Sequence, residues 1–124
     1  MDLSRRRFIL IAEDNPDLAS TLSLLLRMVG FDAQAVHDGR DAVRAAQARR
    51  PDVLLLDIGL PGLNGYEVAR QFRSDERLKG VFIIAHSAYP PDTVPGRSHE
   101  RDFDHYLVKP VDFQTLLPLL GRPG

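Results

Sequence analysis

Four short apolar runs, each leading into polar residues, constrain this chain more than any other feature. Phe8-Ile9-Leu10-Ile11-Ala12 leads into Glu13-Asp14, and Val53-Leu54-Leu55-Leu56 into Asp57. Val81-Phe82-Ile83-Ile84-Ala85 passes through His86 to Ser87, and Tyr106-Leu107-Val108 leads into Lys109. Continuous apolar runs of about four to eight residues read as strands buried on both faces, the signature of a parallel sheet. Ligands of such sheets bind outside the carboxyl ends of the strands. Three carboxylates, a hydroxyl and an ammonium are therefore expected at one end of one sheet.

A length of 124 residues fits one domain, 1–124, with a core of about 7–120 and no need of disulfides. No apolar run approaches the roughly 18–20 residues of a membrane span, so no membrane partner is expected. The basic cluster Arg5-Arg6-Arg7 is followed by only five apolar residues and then charge, which is not the pattern of a secretory signal. It reads as a solvated leader to the first strand. The chain has no cysteine, which removes thiol chemistry and fits a cytoplasmic location. Sixteen Lys and Arg balance seventeen Asp and Glu, without the basic excess of a nucleic-acid-binding domain. Only two of the sixteen cations are lysines, Lys79 and Lys109, which draws attention to the one at a strand end.

Helical patterns alternate with the strands, as in a sheet covered on both faces. The first helix is expected from Pro16 to Val29, capped by Asn15 and stopped by Gly30, with Leu18, Leu22, Leu25 and Val29 on its apolar stripe. Phe31–Val36 reads as an edge strand, Asp38-Gly39 as a turn, and Asp41–Arg50 as a second helix. After Asp57, the stretch Gly59-Leu60-Pro61-Gly62-Leu63-Asn64-Gly65 is a loop, followed by a third helix over Tyr66–Ser74. A fifth strand is expected over Asp104–Val108. Asp112 caps a last helix, which Pro118 is expected to interrupt.

Glu13, Asp14 and Asp57 held together would repel one another, and a site that keeps such groups ionised usually holds a cation. Carboxylate oxygens suit Mg²⁺, and no histidine spacing of a zinc type is present. An aspartate beside Mg²⁺ can attack phosphorus to give an aspartyl phosphate. Lys109 and the Ser87 hydroxyl then supply contacts to the phosphoryl oxygens.

These motifs resemble those of receiver domains of two-component response regulators over about residues 7–120. The resemblance rests on Ile11-Ala12-Glu13-Asp14-Asn15, Leu54-Leu55-Leu56-Asp57-Ile58-Gly59-Leu60-Pro61-Gly62, Asn64-Gly65-Tyr66-Glu67, Ser87-Ala88 and Tyr106-Leu107-Val108-Lys109-Pro110. It implies a flavodoxin-like (βα)5 α/β fold, doubly wound, with a five-stranded parallel sheet in the order 2-1-3-4-5. By position, Asp57 stands as phospho-acceptor, Asp14 as direct Mg²⁺ ligand and Glu13 as its acidic partner. Gly59 stands where a backbone carbonyl meets the metal. Ser87 is the switch hydroxyl, Tyr106 the switch aromatic and Lys109 the lysine that pairs with the acceptor. Lys109-Pro110 matches a bond that is usually cis. The implied donor is a histidine kinase or a histidine phosphotransfer protein. The implied output is a protein-interaction face read by an unknown downstream partner. Such a domain phosphorylates itself, with possible autodephosphorylation, and is not a turnover enzyme.

Departures from the family pattern cluster on the face that would be read out. Pro90, Pro91, Pro95 and Gly96 fall where a fourth helix is expected, and an interior proline costs a helix roughly 3 kcal/mol. That helix is expected to be short or irregular, and the chain to be a monomer or weak dimer. Asp102 stands in place of the usual glycine before strand five. Gly59 and Tyr89 flank the site as tuning positions. His86 and His105 read as ordinary side chains, and His37 and His99 suggest no role.

Three rival functions fit these residues less well. A haloacid-dehalogenase-type phosphatase wants a second aspartate two residues past the nucleophile, where this chain has Gly59. A flavodoxin-like cofactor binder wants hydroxyls and amides in the first loop, where this chain has Glu13-Asp14-Asn15-Pro16-Asp17. A receiver-like module acting by contact alone usually lacks the acceptor, an acidic residue or the lysine, and all are present here.

Overall fold

In the computed structural model, which describes residues 6–88 and 102–123, the apolar runs form the strands they predict. The elements are β1 (Phe8–Ala12), α1 (Pro16–Met28), β2 (Asp32–Val36), α2 (Gly39–Ala48), β3 (Val53–Asp57), α3 (Gly65–Ser74), β4 (Phe82–Ser87), β5 (His105–Val108) and α4 (Phe113–Leu120). All strand pairings are parallel, and the sheet order is β2-β1-β3-β4-β5. The expected order 2-1-3-4-5 is the observed one. The strand order reverses between β1 and β3, and there the crevice for a ligand opens.

Alternation along each strand divides the core in two. Leu10, Leu54, Leu56 and Ile83 face Val43 and Ala46 of α2 and Val68, Ala69 and Phe72 of α3. Ile9, Ile11, Leu55 and Ile84 face Leu22 and Leu26 of α1 and Leu116 and Leu120 of α4. Both faces of the central strands are thus dry, which is why β1 and β3 are apolar throughout rather than alternating.

Helix starts follow their caps. Asn15 Oδ1 accepts from the Asp17 and Leu18 amides at 3.0 and 3.2 Å. Asn64 and Glu67 close a capping box on α3. Three expectations need correction, the first being Val29, which lies just past the end of α1 and is exposed rather than on its apolar stripe. The second helix starts at Gly39, not Asp41, because Asp38 accepts from the Asp41 amide and so makes the expected turn the helix's first turn. Pro118 does not interrupt the last helix, which runs unbroken to Leu120. Pro118 and Gln114 are both exposed, so the carbonyl deprived of its intrahelical donor lies on the solvent side. The expectations for the fourth helix, with Pro90, Pro91, Pro95 and Gly96, and for Tyr89 and His99, lie outside the described residues.

Two arginines tie the strand starts together. Arg73 on α3 donates Nε to the Asp102 carbonyl at 3.0 Å and Nη1 to the Lys79 and Val81 carbonyls at 2.7 Å each. Its Nη2 reaches Asp104 Oδ2 at 2.8 Å, an oxygen that also accepts from the Ile83 amide at 2.7 Å. At the same end of the sheet, Arg7 Nε donates to the Leu120 carbonyl at 2.6 Å, and the Arg7 amide donates to the Pro123 carbonyl.

Candidate functional site

β1 and β3 lie side by side, with Ala12 opposite Leu56, so the residues just beyond them emerge together at the carboxyl end of the sheet. Glu13, Asp14 and Asp57 meet there, each with an oxygen within 4.8 Å of the others. Asp14 is exposed, Asp57 is nearly buried, and Glu13 is 0% exposed. The loop between β5 and α4 brings Lys109 to them. Its Nζ lies 3.0 Å from Glu13 Oε1 and 3.1 Å from Asp57 Oδ2. The remaining carboxylate oxygens take backbone donors: the Asn15 amide binds Glu13 Oε2 and the Gly59 amide binds Asp57 Oδ1, each at 3.0 Å.

These surroundings separate the two buried acids. Burial pushes the Glu13 carboxyl above its ordinary value, outweighing the Asn15 amide and Lys109, and the Asp57 charge adds to the rise. Burial acts on Asp57 in the same sense. There the Gly59 amide and Lys109 outweigh it, and the carboxyl stays below its ordinary value. Burial works against the charged form of Lys109, but its bonds to Glu13 and Asp57 outweigh that and hold the ammonium above its ordinary value. Asp57 is therefore an ionised, oriented carboxylate facing a fixed cation.

Ser87 is nearly buried at the end of β4, and its carbonyl accepts from the Lys109 amide at 2.7 Å, which sets the two residues abreast. The Lys109-Pro110 bond is cis, as the motif implies. Tyr106 stands on β5. It is half-buried, with its ring 6.1 Å from Phe103, which is in turn 5.6 Å from Tyr66 of α3.

Two histidines stand closer to the site than sequence reasoning allowed. His37 Nδ1 lies 3.1 Å from the Glu13 carbonyl. His86, opposite Asp57 in the β3–β4 ladder, is wholly buried, and neither ring nitrogen has a hydrogen-bond partner among the described residues. Burial pushes its pKa down to about 4, with the Asp57 charge opposing and Lys109 adding, so the ring is neutral at pH 7. An apolar run that ends in histidine carries no signal for this. His105 is exposed on the edge strand β5.

A doubly wound parallel sheet with an acidic cluster and a lysine at the carboxyl ends of its strands defines an α/β domain with a strand-end site suited to a hard divalent cation. The response regulator receiver domain family model matches residues 9–120, and the chain belongs to that family. Among curated relatives, the DNA-binding response regulator MtrA of Mycolicibacterium smegmatis is 41% identical over 117 residues, covering 94% of this chain and 50% of MtrA. The chain thus spans about half the length of the first curated relatives it matches.

Among solved structures, the receiver domain of the sensor histidine kinase PA1611 from Pseudomonas aeruginosa has a magnesium ion coordinated in its active-site cleft. It superposes with a TM-score of 0.77 at 33% identity, over 92% of this chain and 93% of that one. The complex of histidine kinase ThkA with response regulator TrrA, the latter from Thermotoga maritima, matches with a TM-score of 0.79 at 27% identity, over 92% and 95%. This chain is a receiver domain of two-component signalling, and its cluster of hard oxygen donors fits Mg²⁺ binding by such domains. Among the described residues, no helix is long and apolar enough to cross a membrane.

Proposed function

We propose that this domain accepts a phosphoryl group on Asp57 from the phosphohistidine of a histidine kinase or histidine phosphotransfer protein. One observation carries the reading: Lys109 Nζ bridges the ionised Asp57 and the buried Glu13, with Asp14 completing a cluster of carboxylates. Glu13, Asp14, Asp57 and the Gly59 carbonyl would hold Mg²⁺. When bound there, Mg²⁺ supplies counter-charge to the phosphoryl oxygens.

The chain's own part follows from its geometry. The Gly59 amide and Lys109 orient the Asp57 carboxylate, and one of its oxygens attacks phosphorus. The phosphorus–oxygen bond forms as the phosphorus–nitrogen bond breaks, and the electron pair returns to the donor imidazole, which gains a proton. Lys109, already at the acceptor oxygen, follows the new charge onto the phosphoryl group. Ser87 then bonds a phosphoryl oxygen, and Tyr106 repacks against the space behind it, altering the face around β5 and α4. Hydrolysis of the aspartyl phosphate resets the domain, which is a switch and not a turnover enzyme. A cytoplasmic monomer or weak dimer without direct nucleic-acid contact fits this role. The unknown downstream partner reads the altered face.

The test is intact-mass spectrometry after incubation with acetyl phosphate, with and without Mg²⁺, beside Asp57→Asn. The expected result is one phosphoryl group gained by the wild type, dependent on Mg²⁺ and absent from the variant. No gain by the folded wild type under any condition would instead favour a module acting by contact alone.

A further inference from the structure

The loop from Ile58 to Asn64, which carries Gly59, is held from two sides by direct approach of backbone to backbone. On one side stands Gly39, the first residue of α2. Its amide donates to the Pro61 carbonyl at 3.1 Å, so the loop satisfies a helix-terminal N–H that has no intrahelical partner. The approach leaves no room for a side chain: a Cβ on Gly39 would fall 1.9 Å from the Leu63 carbonyl oxygen and 2.7 Å from its carbon. On the other side, the Gly65 amide donates to the Ile58 carbonyl at 3.0 Å, and a Cβ there would fall 2.6 Å from Ile58 Cα and 3.0 Å from the Asp57 carbonyl oxygen. Between these holds the chain buries Leu60 and turns at Gly62, where φ is +77°. Gly59 lies in this span, and its amide already fixes one Asp57 oxygen.

We propose that Gly39 is a positioning residue for Mg²⁺ binding, acting through the Ile58–Asn64 loop that it seats against the end of β3. The inference rests on the phosphoacceptor reading given above. Gly39 forms no part of the carboxylate cluster. Its lack of a side chain lets α2 hold the loop that carries Gly59, whose amide reaches Asp57 Oδ1. The atoms opposing an added methyl are the Leu63 carbonyl and Leu63 Cβ, which no rotamer change moves, so none relieves the clash. The loop or α2 must move by about 1.5 Å to reach an ordinary contact, enough to misplace a metal ligand.

The experiment is calorimetric titration of Mg²⁺ into wild type, Gly39→Ala and Gly80→Ala, each checked for a cooperative thermal transition. A Cβ on Gly80 meets only the far end of Arg50, at 3.2 Å, so that variant controls for the loss of a glycine. Gly39→Ala is expected to raise the Mg²⁺ dissociation constant about tenfold, with Gly80→Ala equal to wild type. A folded Gly39→Ala with wild-type affinity overturns the inference alone, whereas absence of Mg²⁺ binding by the wild type overturns the phosphoacceptor reading with it. Should Gly39→Ala fail to fold, amide hydrogen exchange on the wild type decides. Coupling between loop and metal is reciprocal, so saturating Mg²⁺ must slow exchange at Gly39 more than at Ala46 of the same helix. Unchanged exchange at Gly39 overturns the proposal.

Discussion

Lys109 Nζ lies 3.0 Å from Glu13 Oε1, joining residues 96 positions apart across the carboxyl ends of β1 and β5. The same nitrogen holds Asp57, so one ammonium balances two buried acids. Removing it leaves those acids to repel each other without a counter-charge. Lys109→Met should cost roughly 2 kcal/mol of stability without Mg²⁺, below the full value for a buried pair because Lys109 is a quarter exposed. The same variant should bind Mg²⁺ more tightly than wild type, since a competing cation is gone. Urea midpoints and Mg²⁺ titrations on the two proteins check both effects.

Glu13 carries the opposite balance. Burial holds its carboxyl above the ordinary value, so its ionisation works against the folded state. Its contribution is fully present below the unfolded pKa of about 4.3 and is lost as pH rises through the raised folded value. Glu13→Gln should therefore be more stable than wild type at pH 7, by about 1 kcal/mol, and bind Mg²⁺ more weakly. Denaturation and titration at pH 7 read the two opposed changes together.

His86 places a second pH dependence in a different window. Its folded pKa of about 4 lies below the unfolded value of about 6.5, so the stability it contributes is present above pH 6.5. It is lost as pH falls through the folded value, and by pH 4.5 the loss reaches roughly 2–3 kcal/mol. His86→Leu should remove this slope between pH 6.5 and 4.5. Urea midpoints across that interval, for both proteins, measure it.

Arg73 occupies three backbone carbonyls and the Asp104 carboxylate at once. Arg73→Ala should cost about 2 kcal/mol, because acceptors at the starts of β4 and β5 lose a charged donor. Arg73→Lys should recover less than half of that, since a single ammonium cannot span acceptors arranged for a planar fork. Chemical denaturation of the three proteins is sufficient.

The strands and the carboxylate cluster were legible because runs buried on both faces must be continuously apolar, and each first polar residue marks a strand end. Glu13, Asp57 and Lys109 follow from that rule. Helix boundaries were less legible. Asp38-Gly39 has the composition of a turn, and only the Asp38 bond to the Asp41 amide distinguishes a helix start. Pro118 reads as a break in any sequence, and its tolerance depends on which side of the helix faces water. His86, Arg73 and Gly39 owe their roles to neighbours distant in sequence: a cross-strand aspartate, three carbonyls and the Leu63 backbone. Local pattern holds no record of such neighbours.

The bond between Arg7 and Pro123 brings the two ends of the described chain side by side at the amino-terminal edge of the sheet. The carboxylates stand at the other edge, one strand length away, or roughly 16 Å for five residues. The two ends of the described residues therefore share one pole of the sheet. A short bridge from 123 to 6 would then make a circular permutant whose carboxylate cluster stays intact at the opposite pole.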